Sequence, residues 1–148
     1  MARPGFNNHP KFKNGSAYVT TALPDAAIAA MQQQLVVAPS SCTIQFDNMG
    51  GAIAAVGAGD SAFVHRQAIF DIQFQAYWTD DADEAVHRAW IKSARAALAP
   101  YTDGAYVNYI DADVTDMSSY YGANLARLSS VKRTYDSDGF FAFAQAIP

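Results

Sequence analysis

The sequence carries a single cysteine, Cys42, among 148 residues. An intramolecular disulfide is therefore excluded, and so is a zinc site built on several thiolates. Cys42 lies between Ser41 and Thr43 and reads as a small, half-buried filler. Charge is scarce as well: 16% of the residues are charged, against about 25% in an ordinary domain. The 14 acids outnumber the 10 bases, for a net charge of −4. No basic run exists, which argues against a nucleic-acid partner, because such proteins cluster Lys and Arg against phosphates. Long apolar runs are missing too. The stretch 26–38 is interrupted by Gln32, Gln33 and Gln34, so no segment is expected to span a membrane. The first ten residues hold no apolar core and do not read as a signal peptide, which makes the cytoplasm the expected compartment. His9, His65 and His87 show no ligand spacing, so no metal site is expected.

What the chain does have is apolar bulk: 51% hydrophobic and 13% aromatic residues. A chain of this length forms one domain and buries about 68–70% of its unfolded surface. Thin polar cover over that much apolar material suggests more than one face to bury. Residues 1–16 read as an irregular lead-in, and 17–21 as a strand. Pro24 and Asp25 suit a helix start, and Ile28, Met31, Leu35 and Val36 follow at helical spacing until Pro39. Residues 43–47 alternate as a strand. Asn48-Met49-Gly50-Gly51 reads as a break, 52–56 as a strand of small residues, and Gly57-Ala58-Gly59-Asp60 as a turn. The clearest period-2 signal is 69–77, where Phe70, Ile72, Phe74 and Ala76 alternate with Asp71, Gln73 and Gln75.

Acids at 80–84 open a second helix that runs to about Ala99, with Val86, Trp90, Ile91, Ala94 and Leu98 as one stripe and Pro100 as its stop. Residues 105–110 favour a strand, and Leu125, Leu128 and Val131 carry a last helix before a turn at 136–139. Alternation of this kind favours an α+β fold: an antiparallel β-sheet with helices packed on one face.

Two features stand out as candidates for chemistry. The polar face of the sheet is Thr43, Gln45, Asp47, Asp71, Gln73 and Gln75, with no Lys or Arg among them. Short and amide side chains donate and accept hydrogen bonds at fixed positions, as a ligand roof needs; the wet side of an antiparallel sheet accounts for the same alternation. The second feature is tyrosine, with Tyr101, Tyr106, Tyr109, Tyr120 and Tyr121 falling within 101–121. A tyrosine acts as a base at neutral pH only if a partner favours the phenolate, and Asp47 or Gln45 is a candidate partner for Tyr109. Read as a strand, Tyr106 and Asn108 face one way and Tyr109 the other. Gly57-Ala58-Gly59 opens no helix and reads as a plain turn. Ser41, Ser61 and Ser119 lack nucleophile surroundings. His65-Arg66 reads as a pair holding a loop.

Several segments resemble one family in order. Tyr106-Val107-Asn108-Tyr109-Ile110-Asp111-Ala112-Asp113 is similar to the YVNYxDxD strand of berberine-bridge-enzyme-like FAD-linked oxidoreductases. Tyr120-Tyr121-Gly122-Ala123-Asn124-Leu125-Ala126-Arg127-Leu128, with Val131-Lys132 and Tyr135-Asp136, resembles the signature that follows it there. Gln145-Ala146-Ile147-Pro148 resembles its closing motif, and Gly50-Gly51-Ala52-Ile53 with Ala62-Phe63-Val64-His65-Arg66 an upstream one. Ser137 and Ala146 depart from the family's Pro and Ser. The match is best over 48–148.

The resemblance implies a single substrate-side and C-terminal domain over 1–148 whose sheet roofs a flavin. The FAD-binding domain has no counterpart in the sequence, so the expected partners are an FAD-binding domain or subunit and a small-molecule substrate. By motif, Tyr109 would be the catalytic base, with Asp47 and Gln45 tuning it, while Tyr106, Asn108 and Asn124 would lie at the cofactor. Hydride would pass to flavin and electrons then to O₂, in an oxidase of the alcohol, sugar or secondary-metabolite type. The chain by itself is expected to be inactive and to self-associate. A binding module that keeps the fold without turnover is the alternative.

Overall fold

A computed structural model describes residues 10–148. His9 and most of the expected lead-in therefore lie outside the described residues. Three strands, β1 (Lys11–Val19), β2 (Cys42–Asn48) and β3 (Phe70–Trp78), form an antiparallel sheet in the order β1-β3-β2. The fold is α+β, as expected from alternation. Helices α1 (Asp25–Val36) and α2 (Glu84–Leu98) cover one side of the sheet. Ile72, Phe74 and Ala76 of β3 point into that side and are fully buried against Trp90, Ile91, Ala94 and Leu98 of α2. Each such side chain contributes roughly 1.5–3 kcal/mol by leaving water, so this face holds the domain together.

The acidic run starts α2 as expected: Asp80 accepts a hydrogen bond from the Ala82 amide at 3.0 Å and caps the turn before it. The α2 stripe differs from the expected one by a single position. Val86 is 52% exposed, and His87 is buried in its place. Main-chain oxygens of Asp83 and Ser40 lie at 2.7 and 2.9 Å from the two His87 ring nitrogens, which lets a polar ring enter the core. In α1 the small residues face inward. Ala27 is fully buried, Ala30 and Met31 pack on the core, and Ile28, Leu35 and Val36 are exposed.

Three expected strands are corrected. β1 begins at Lys11 rather than at residue 17, because Gly15 faces α2. A Cβ there would meet Ile91 Cγ2 at 3.2 Å, so glycine lets helix and strand close up. Residues 52–56 form a turn closed by Ala55 N–H on the Gly51 oxygen at 3.2 Å, a local bond that replaces a ladder. Residues 105–110 are not a strand either; Val107–Tyr109 is a single 3₁₀ turn. No helix of the described residues is long and apolar enough to cross a membrane.

The C-terminal third forms a smaller cluster of Ala105, Val114 and Tyr120 beside α3 (Ser118–Tyr121), and α4 (Leu125–Tyr135) runs along the periphery. One buried carboxylate ties this part to the sheet. Asp111 is 2% exposed and pairs with Lys13 of β1 and, at 3.3 Å, with Arg95 of α2. It also accepts from the Asp113 amide at 2.8 Å, while its main-chain oxygen accepts from Gln145 at 2.6 Å. The Asp111 amide donates to the Tyr120 hydroxyl at 3.0 Å. β1, α2, the 111–120 loop and the tail thus meet at one ionic centre.

Candidate functional site

The side of the sheet opposite the helices is a grid. Strand register places Tyr18, Asp71 and Asp47 in one row across β1, β3 and β2. Ser16, Gln73 and Gln45 make the next row, and Asn14, Gln75 and Thr43 the third. Because successive strand residues alternate, all nine share a face, and none is Lys or Arg. The first column, from β1, is what a sequence reading misses when it starts the strand too late.

Hydrogen bonds fix the amides of this grid. Thr43 donates to Gln75 at 3.1 Å, and Gln75 Nε2 donates to Gln45 at 3.2 Å and to Gln73 at 2.6 Å. Gln45 Nε2 in turn donates to both Asp47 oxygens, at 3.0 and 3.1 Å. Gln45 is therefore a holder of Asp47, and its side-chain hydrogen bonds go to Asp47 and Gln75.

The 3₁₀ turn delivers the tyrosines to this face. Asp103 makes a two-way main-chain bridge with Tyr18, at 2.7 and 2.9 Å, and the Tyr106 amide donates to Ser16 Oγ at 2.7 Å. The chain leaves the edge of β1 there and folds over the sheet. Tyr106 and Tyr109 meet edge to face with centroids 5.0 Å apart, and Asn108 Nδ2 donates to the Tyr106 hydroxyl at 2.8 Å. As a strand, these residues would have pointed to opposite faces; the turn puts all three together. Tyr18, Phe63 and His65 complete an aromatic wall, with the His65 ring stacked on Tyr18 at 4.1 Å. His65 Nε2 lies 3.1 Å from the Ser119 oxygen, and Arg66 donates to the main-chain oxygens of Phe63 and Ile53, so the pair does hold its loop. Gly104 has φ of +60°, and a Cβ on it would run into the His65 ring.

The electrostatics run against a phenolate. Burial pushes the Tyr109 hydroxyl above its usual range, and the Asp47 and Asp71 carboxylates push it the same way. Asp47 thus acts in the opposite sense from a partner that would favour the ionised phenol. Asp71 is 2% exposed, and burial together with Asp47 raises its carboxyl to about 7. Its Oδ1 is buried without a hydrogen-bond partner, as is the hydroxyl of Tyr18. A sheet face that holds unmatched buried acceptors and donors beside ordered amides and tyrosine rings suits a flat, polar ligand.

Asn124 is not part of this assembly. Its Nδ2 donates to the main-chain oxygens of Ala58 and Ser61 at 2.6 and 3.1 Å, and Arg127 donates to that of Gly59 at 3.0 Å. The two side chains clamp the 57–61 turn, which Asp60 closes from within. A cleft of about 400 Å³ lies on the helix side near Arg95 and Asp111, and no tyrosine lines it.

The sequence profile of the family described as "Berberine and berberine like" matches residues 105–148. The uncharacterized FAD-linked oxidoreductase YgaK of Bacillus subtilis is 33% identical over 147 residues, covering 98% of this chain and 33% of that protein. The hexose oxidase of Chondrus crispus is 28% identical over 177 residues, covering 97% of this chain and 32% of the oxidase. Among solved structures, BBE-like 1 of Physcomitrella patens superposes with a TM-score of 0.89 at 34% identity, over 94% of this chain and 30% of that one. The chain thus spans about a third of the length of the curated relatives it matches. The fold, the ordered motifs and these matches agree: nearly the whole chain is similar to about a third of a berberine-bridge-enzyme-like FAD-linked oxidoreductase, and residues 105–148 match that family's model.

Proposed function

We propose that this chain is the substrate-side part of an FAD-dependent oxidase acting on an alcohol, a sugar or a related secondary metabolite. The observation that carries the reading is the three-row face without a cation, on which one turn assembles Tyr106, Asn108 and Tyr109. Such a face would roof a flavin, with the Gln45, Gln73 and Gln75 amides as fixed donors and acceptors and Tyr106 and Asn108 orienting the ring system. Bound FAD would supply hydride acceptance and the return of electrons to O₂.

The residues of the chain would handle the proton. Tyr109 is a phenol at neutral pH, since burial and two carboxylates oppose its ionisation. It would accept the proton of a substrate hydroxyl only while passing its own to a carboxylate. Asp47, held by Gln45, is the acceptor on the open side of the grid. Asn124 would serve cofactor binding indirectly, by fixing the 57–61 turn. An FAD-binding domain or subunit is the partner this requires. Exposed apolar side chains such as Val36, Phe140 and Phe141 give it, or a second copy, surface to cover.

A binding module without turnover is the second reading, favoured by the absence of a phosphate cradle at Gly57-Ala58-Gly59, which is a closed turn. The test joins the chain to the FAD-binding portion of a relative such as YgaK and follows O₂ uptake on benzylic alcohols and hexoses. The oxidase reading expects turnover that falls by a factor of about 10² or more in Tyr109→Phe. No uptake in any pairing, or a Tyr109→Phe variant equal to the parent, overturns it in favour of the binding module.

A further inference from the structure

We propose that the polar face selects a ligand bearing a protonated amine, seated over Asp47 and Asp71 and flanked by the rings of Tyr106 and Tyr109. The inference deepens the oxidase reading and rests on it for the ligand's being a substrate. It starts from a conflict inside the sheet. Asp47 and Asp71 are directly opposite in the β2–β3 register, where like charges repel and destabilise the pairing. Ordinarily a basic side chain on the same face relieves such a pair. Here none of the nine grid residues is basic, and no ion pair reaches either acid among the described residues.

The groups that surround the pair make the conflict specific. β1 brings Tyr18 beside Asp71, and that hydroxyl is itself buried without a partner. β2 adds Gln45, whose amide is directed at Asp47, and β3 adds Gln73. The 3₁₀ turn brings Tyr106 and Tyr109, and the loop before β3 brings Phe63 and His65. Burial lowers the pKa of His65, so it supplies no permanent charge, and Asp103 lies behind it. Arg66 is spent on main-chain oxygens and the Phe63 ring. Apart from Arg66, which is held on the Phe63 ring, each of these neighbours is neutral or acidic, and several are electron-rich rings.

An organic ammonium answers each of these features at once. It would accept the field of both carboxylates, and its C–H and N–H edges would lie on tyrosine faces, where a cation is attracted by the ring quadrupole. It would also favour the ionised form of Asp71, which burial and Asp47 otherwise oppose. A neutral hydroxyl would satisfy one hydrogen bond and leave the two charges unrelieved. The overall charge of −4 draws a cation toward the protein in the same sense.

The experiment uses the whole chain and a matched pair of probes, benzylamine and benzyl alcohol, titrated at pH 7.5 and followed by amide chemical shifts. The expected result is that benzylamine binds at least about tenfold more tightly than benzyl alcohol, with shifts at Gln45, Asp47, Tyr106 and Tyr109. Asp47→Asn should remove most of that preference by weakening benzylamine. Asp71→Asn should reduce it less, and added salt should weaken benzylamine alone. Equal affinities, no shift with benzylamine, or benzylamine binding unaltered in Asp47→Asn would each overturn the inference. None of those outcomes touches the oxidase reading, which stands or falls on O₂ uptake and Tyr109→Phe.

Discussion

Two aspartates, Asp111 and Asp71, are equally buried at 2% exposure, yet the two sides of the sheet treat them in opposite ways. On the helix side Asp111 receives Lys13, Arg95 and a main-chain amide, and its own main chain is tied to Tyr120 and Gln145. On the open side Asp71 faces another acid, has an oxygen with no partner and meets no cation among the described residues. A buried carboxylate is tolerated when its charge is matched, and unmatched it drives its own pKa upward. The first arrangement is what holds a fold together. The second keeps a polar group in an unfavourable state that a ligand can relieve.

The comparison can be broken at its strong end first. Asp111→Ala should cost about 3–5 kcal/mol in denaturant unfolding, because it strands the buried Lys13 and releases the tail contact. A loss below about 1 kcal/mol would show that the ionic centre is dispensable and that packing alone docks the C-terminal third.

Asp71→Asn should do the reverse, with a pH dependence that identifies it. The folded carboxyl titrates at about 7, whereas an unfolded one titrates near about 4. Between those values the native state holds a proton that the unfolded state has lost. The contribution of Asp71 is therefore fully present below about pH 4, falls away as pH rises toward 7, and is gone above it. The variant should match the parent near pH 4 and exceed it at pH 8 by up to about 4 kcal/mol, at about 1.4 kcal/mol for each pH unit of the window. Stability curves that stay parallel across this window would remove the contrast between the two acids.

The smallest effect tests a residue outside both centres. Asn124→Ala should cost about 1 kcal/mol, through loss of two hydrogen bonds to the 57–61 turn. It should leave the amide shifts of Tyr106 and Tyr109 in place. Shifts at those tyrosines would instead bring Asn124 into the polar face.

Much of the framework was legible from residue order, and the reasons are physical. β3 alternates so strictly that only one register buries Ile72, Phe74 and Ala76, and Asp80 marks the start of α2 through a capping bond. The failures came where a segment's preference depended on what lay beside it. Tyr106-Val107-Asn108-Tyr109 has strand composition, but the β1 edge offers only the Tyr18–Asp103 bridge and Ser16 Oγ, so the chain turns instead. Lys11 to Gly15 looks like a polar lead-in, yet it becomes strand because Lys13 reaches Asp111 and Gly15 admits α2. Asp111 itself looked like one more motif residue. Its two ionic partners, Lys13 and Arg95, are 98 and 16 positions away in sequence, a separation that no local pattern reports.

By itself the sequence determined the secondary elements with strong periodicity, the α+β class, and a sheet face free of cations, since each depends on the order and type of neighbouring residues. Only the tertiary structure decided which tyrosines share that face, which aspartate is paired and which is stranded. Those outcomes are set by contacts between segments far apart in the chain, where register, helix approach and burial choose the partners.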